Sequence, residues 1–194
     1  MLLAVVAIMA AWSGYSSAKW STDSRLKLAQ ASTARTQASS LALASTTQKN
    51  FDGLTFNAWF TAWVSGDVAK QAVAERRFTP NFHRAFDAWM ATDPLTNPMA
   101  LPGPTYMPEY KQPLAAKAAV LNAKADRLYA AGATDGTNSD DYVRITVYLA
   151  TVLFLIAISS HFSIRGVRIG LIAVGGAVLL VSVIDQASLP PPPA

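Results

Sequence analysis

The chain contains no cysteine, which excludes disulfides, thiolate metal sites and cysteine nucleophiles together. It has two histidines, His83 and His161, and no glycine-rich dinucleotide loop, P-loop, G-x-S-x-G elbow or H-E-x-x-H zinc helix. Charge is scarce too: 14% of the 194 residues are charged and 52% are apolar. Arg76-Arg77 is the only basic doublet, so the concentrated basic surface that nucleic acid requires is missing. No pair of carboxylates is set in an apolar context. These absences argue against an enzyme and leave no cofactor implied. Proline is absent between Lys19 and Phe78, and charge is absent from 145–158 and from 169–184.

The two uncharged runs organise the rest. With its flanks, each reaches about 18–20 residues, the length that crosses a hydrocarbon core of roughly 30 Å as a helix. A short segment of Ser, Arg and Gly separates them, so residues 142–184 read as a transmembrane helical hairpin. The first twelve residues, MLLAVVAIMAAW, would reach only about 18 Å as a helix. They lack a basic n-region and an A-x-A cleavage site, which argues against a signal peptide, the rival reading. Residues 1–18 therefore read as a first span, truncated or begun late, with Trp12, Tyr15 and Trp20 as interfacial aromatics.

Between the spans, residues 19–141 read as a helical domain. Its first half is rich in Ala, Ser, Thr and Gln, which suits a long helix packed closely against its neighbours. Asp23 and Lys27 stand at i,i+4. Further on, Phe56, Trp59, Phe60 and Trp63 recur at helical spacing, as do Phe82, Phe86, Trp89 and Met90 after the Thr79-Pro80 start signal. Two such stripes are expected to face each other as core. Residues 92–113 carry six of the eleven prolines and form an extended strap across the helices. Its apolar Met99, Leu101, Tyr106, Met107 and Tyr110 make it the candidate contact surface. Helix resumes at Pro113, and Gly132 and Gly136 admit either a frayed joint or a kinked continuous helix before the membrane. Residues 185–194 form a proline-rich tail. The expected fold class is all-α: a membrane protein with about three transmembrane helices and an inserted antiparallel helical bundle.

Few side chains suggest chemistry. His83 and Asp87 lie one helical turn apart, but two ligands make no metal site. His161, beside Ser159 and Ser160, closes the second span; an imidazole there could ligate a haem iron or a chlorin magnesium, but an interfacial residue with no ligand is the favoured reading. Gly166, Gly170, Ala173 and Ala177 form a small-residue stripe on the third span, suited to close helix approach, either within the chain or between chains. Arg165 and Arg168 in the hairpin turn, against a tail without basic residues, place the turn in the cytoplasm and residues 19–141 outside it.

The runs WFTAW, ERRFTPNFHRAFDAWMATDPLTNPMALPGPTYMPEY and DDYVRITVYLATVLFLIAISSHF resemble a family of bacterial integral membrane proteins with no assigned activity. Phe82, Ala85, Ala88, Trp89, Pro94, Asn97, Pro98, Asp140 and Tyr142 carry the likeness, over roughly residues 10–185. The resemblance implies a bacterial cytoplasmic membrane and no catalytic residues. The expected function is a non-catalytic one: an accessory subunit or self-associating scaffold whose partners are the lipid bilayer and other membrane proteins or its own copies. An extracytoplasmic ligand sensor and a small oligomeric pore are the alternatives.

Overall fold

A computed structural model describes residues 2–193. Every element among them is helical: α1 Leu2–Val64, α2 Val68–Glu75, α3 Pro80–Met90, α4 Pro113–Ser159 and α5 Arg165–Ser188, with one 3-10 turn at Pro104–Tyr106 and no strand. The all-α expectation holds. Two of these helices, α4 and α5, are long and apolar enough to cross a membrane.

Helix α1 runs for 63 residues because nothing in it stops a helix: it holds no proline, and its two glycines meet no neighbour. It ends where Gly66 turns to φ +71°, a conformation that closes helices because glycine has no Cβ to clash. The Asp67 amide then bonds back to the Ala62 carbonyl. Helix α3 starts as its sequence signals, with Pro80 in the first turn and the Thr79 hydroxyl accepting from the Phe82 amide. Helix α4 starts at Pro113 and continues unbroken through Gly132 and Gly136, which decides for a continuous helix over a frayed joint.

The chain divides into two compact units, Met1–Thr33 with Lys124–Ala194, and Ala34–Ala123. The hydropathy boundaries at 18/19 and 141/142 both fall inside the first unit. Its apolar cluster is Val6, Ile145, Leu149 and Val152, flanked by Met9 of α1, Ile156 of α4 and Val178 and Leu179 of α5. Beyond this cluster the packing turns small. On α1, Ser17, Ser24 and Ala31 are buried at intervals of seven; on α4, Ala125, Gly132 and Ser139 are too. A seven-residue repeat keeps one seam of a helix on its partner. Small residues there let the backbones come close, and the hydroxyls bond across: Ser17 Oγ and Ser139 Oγ lie 3.2 Å apart, Ser139 donates to the Ser17 carbonyl, and Ser24 donates to the Gly132 carbonyl at 2.7 Å. A Cβ on Gly132 would lie 3.0 Å from Leu28 Cγ and 3.1 Å from the Ser24 carbonyl oxygen. That glycine is required by proximity.

Charge closes the same seam. The Lys27 ammonium lies 2.7 Å from both Asp23 and Asp135. The hydrogen bond to Asp135, then that to Asp23, raises the lysine above its ordinary range; Lys27 in turn lowers Asp23.

The second unit has a core of rings. Trp59, Phe82, Phe86 and Trp89 are buried with Ala74 and Phe78, and Phe56, Trp63, Met90, Met107 and Tyr110 pack against them. Trp59 meets Phe86 edge-on at 4.7 Å, Phe78 meets Phe82 at 4.9 Å, and Phe56 meets Trp89 at 5.4 Å. The two expected stripes do face each other. Phe60 is the outlying member, touching Phe56 and Trp63 from an exposed position.

Candidate functional site

In the second unit the strap crosses the aromatic core and is pinned at two places. Trp89 Nε1 donates to the Leu101 carbonyl at 2.7 Å, and the backbone at Gly103 passes close over the Phe56 ring. At the far end the Tyr110 hydroxyl donates to Asp52 Oδ2 at 2.9 Å, while the Asn81 amide donates to the Lys111 carbonyl and accepts from the Lys111 amide. The five candidate strap residues therefore separate. Met107 and Tyr110 turn inward onto the core. Met99 is 85% exposed and Tyr106 66%, while Leu101 is partly exposed, with its carbonyl engaged by Trp89. Only the outward three remain available for a partner.

Asp52 is the residue the sequence reading missed. It is fully buried and accepts from two neutral hydroxyls, Tyr110 and Thr79, the latter at 2.9 Å on Oδ1. No cation pairs with it among the described residues. A buried carboxylate needs hydrogen bonds to offset its lost hydration, and here they come from the start of α3 and the end of the strap, tying both to α1. Thr79 caps α3 with the same oxygen that donates to Asp52. Burial, and then the carboxylate it serves, raise the Tyr110 hydroxyl well above the ordinary phenol range. A signal existed: Ala38, Ser45, Asp52 and Trp59 stand seven apart and all are buried. Asp52 thus occupies the inward register of α1.

In the first unit, Gly166, Gly170 and Ala173 of the small stripe on α5 turn away from α4, while Ala177 borders the groove between the two helices. Nothing lies within 4 Å of a Cβ built on Gly166 or Gly170, and Ala173 and Ala177 are exposed. The residues turned inward include Gly175, whose built Cβ would sit 3.8 Å from Leu155 and Ile156, the buried Ser182, and Val178 and Leu179 against the apolar cluster. Between α4 and α5 an open groove of about 520 Å³ is lined by Val147, Tyr148, Thr151, Ala177, Val178 and Val181. Of the most apolar stretch of α5, only 11% is buried by the rest of the chain. His161 is exposed, 3.4 Å from the Ser160 hydroxyl, and Arg144 pairs with Asp141 at 3.2 Å. The tail is held where the Tyr142 hydroxyl donates to the Pro190 carbonyl at 3.0 Å.

No group of three or more His, Asp or Glu side chains among the described residues is arranged to hold a metal ion. No family model, no curated protein and no solved structure matches the chain.

Proposed function

We propose that this chain is a non-catalytic integral membrane protein that works through contacts with other membrane proteins or with further copies of itself. The observation that carries the reading is the outward direction of Gly166, Gly170 and Ala173 on α5. Within the chain α5 packs through Gly175, Val178, Leu179 and Ser182, so Gly166, Gly170 and Ala173 are free for a second helix. In lipid, association gains little from hydrophobicity and depends on close backbone approach, which such a face permits. The exposed Ile169, Ile172, Leu180 and Ile184 along α5 would be covered by lipid or by that second helix.

Three spans fit this reading. The first is the start of α1, whose Val6 lies fully buried against Ile145, Leu149 and Val152. The proposed orientation puts Arg165 and Arg168 in the cytoplasm and residues 19–141 outside a bacterial inner membrane, with Met99, Leu101 and Tyr106 as a further contact surface.

The test is assembly. Gly170→Leu and Ala173→Leu are expected to abolish the native-mass or crosslinked assembly in mild detergent while the chain stays helical and inserted. Normal assembly of both variants would move the contact to the strap. A wild-type protein that stays a strict monomer and binds a small ligand would favour the sensor.

A further inference from the structure

Helices α4 and α5 run antiparallel: a Cβ built on Gly175 lies 3.8 Å from Ile156 Cγ1, and further along the chain the Pro190 carbonyl accepts from Tyr142. On α4 the groove residues Val147, Tyr148 and Thr151 follow Arg144 at helical spacing, so the arginine heads their face. On α5 Val178 and Val181 precede Asp185 in the same way. Arg144 and Asp185 therefore stand at one end of the groove, one on each helix. At 1.5 Å of rise per residue, each lies about 4.5–6 Å beyond the nearest lining residue.

The groove walls are hydrocarbon: valine methyls, the Tyr148 ring and Thr151, whose hydroxyl is spent on the Val147 carbonyl of its own helix. Size decides what fits. A helix about 10–12 Å across, rising 1.5 Å per residue, fills about 120–170 Å³ per residue. The 520 Å³ of the groove would seat about one turn, too little for a second span, yet it lies within the range of about 300–1,000 Å³ that holds small ligands. At the charged end both signs are present. The Arg144 side chain is half exposed and gives one nitrogen to Asp141 at 3.2 Å, which leaves further N–H donors of its fork free. Asp185 is half-buried and has no cation partner among the described residues. With two carboxylates and one guanidinium, this end favours a headgroup that carries an ammonium beside its phosphate.

We propose that the α4–α5 groove binds one acyl chain of an amine-bearing zwitterionic phospholipid, with its phosphate on Arg144 and its ammonium on Asp185; the inference rests on the membrane reading above. The chain covers Val147 and Val181, which are 57% and 51% exposed, and fills a cleft that the two helices do not close by themselves. The lipid thus serves as packing between the helices of the hairpin, and Gly166, Gly170 and Ala173 stay open to a second helix.

The test is native mass measurement of the full chain in mild detergent, with phosphatidylethanolamine and phosphatidylglycerol of identical chains added in equal amounts. The wild type is expected to retain one phosphatidylethanolamine, about two- to five-fold over phosphatidylglycerol, the range exposed ion pairs support. Asp185→Asn should erase that preference and keep a bound lipid. Val181→Trp, at an exposed position, should fill the groove and release both lipids while helicity is unchanged. No retained lipid, equal retention by Val181→Trp, or a preference that survives Asp185→Asn would each overturn the site. So would a second chain held by the wild type and lost in Val181→Trp, which would give the groove to another copy. Release of the chain from membranes by alkaline carbonate would overturn the membrane reading and this inference with it; an inserted chain without the lipid overturns the inference alone.

Discussion

Helices α1 and α4 contribute to both compact units, yet the two units are packed by opposite means. In Ala34–Ala123 the space is filled by large rings meeting edge-on, with Trp59, Phe82 and Phe86 at the centre. In the other unit the seam closes on Ser17, Ser24, Ala31, Ala125, Gly132 and Ser139, where backbones approach and hydroxyls bond to carbonyls. Ring packing gains from buried apolar area and loses most when volume is removed. Close backbone packing buries little side chain and loses most when volume is added. Deletion and insertion should therefore hurt different units.

The largest effect is expected from Phe82→Ala. Phe82 is fully buried and contacts the rings of Phe56, Phe78 and Tyr110. Its loss should cost about 3–5 kcal/mol in reversible unfolding of the purified chain. A cost under about 1 kcal/mol would mean that the ring core is loosely packed.

Next comes Thr79→Val, which keeps the shape and removes the hydroxyl that caps α3 and serves Asp52. Losing the cap and leaving a buried acceptor short of a donor should cost about 2 kcal/mol. Thr79→Ser should recover most of it. A serine variant as unstable as the valine one would show that the methyl group, which valine keeps, contributes as much as the hydroxyl.

The sharpest contrast between the units is the smallest in size. Alanine favours a helix over glycine by about 1 kcal/mol, so both Gly53→Ala and Gly132→Ala should stabilise if propensity alone decided. Gly53 has open space and should gain about 0.5–1 kcal/mol. At Gly132 the new Cβ meets the Ser24 carbonyl oxygen at 3.1 Å, on a backbone held by the 2.7 Å bond from Ser24 to Gly132. There the clash should outweigh propensity, for a net loss of about 1 kcal/mol. Thermal melts of the two variants would show opposite signs, and equal signs would remove the distinction between the seams.

Much of this was legible in the chain. The Thr79-Pro80 start, the Pro113 start, the facing aromatic stripes and the Asp23–Lys27 pair all follow from local spacing, and all appear. The strap was legible as a strap, because proline forbids helix there, but which side each residue takes was not. Met107 turns in and Met99 turns out, and an irregular segment has no period from which to read that. Asp52 was missed because a lone acid on a helix ordinarily faces water; its inward register emerges only by counting in sevens from Ala38 and Ser45.

The sequence by itself determined the helical class, the starts of α3 and α4 and the two apolar helices, because periodicity, proline and hydropathy act along the chain and need no partner. Tertiary structure alone decided which face of each helix is spent inside. It turned Gly175 toward α4 and left Gly166 and Gly170 outside, though all are small residues of one helix. It also drew Glu75 and Asp87 to opposite sides of one imidazole. Both outcomes depend on where a second element lies, and that distance is written in no single stretch of residues.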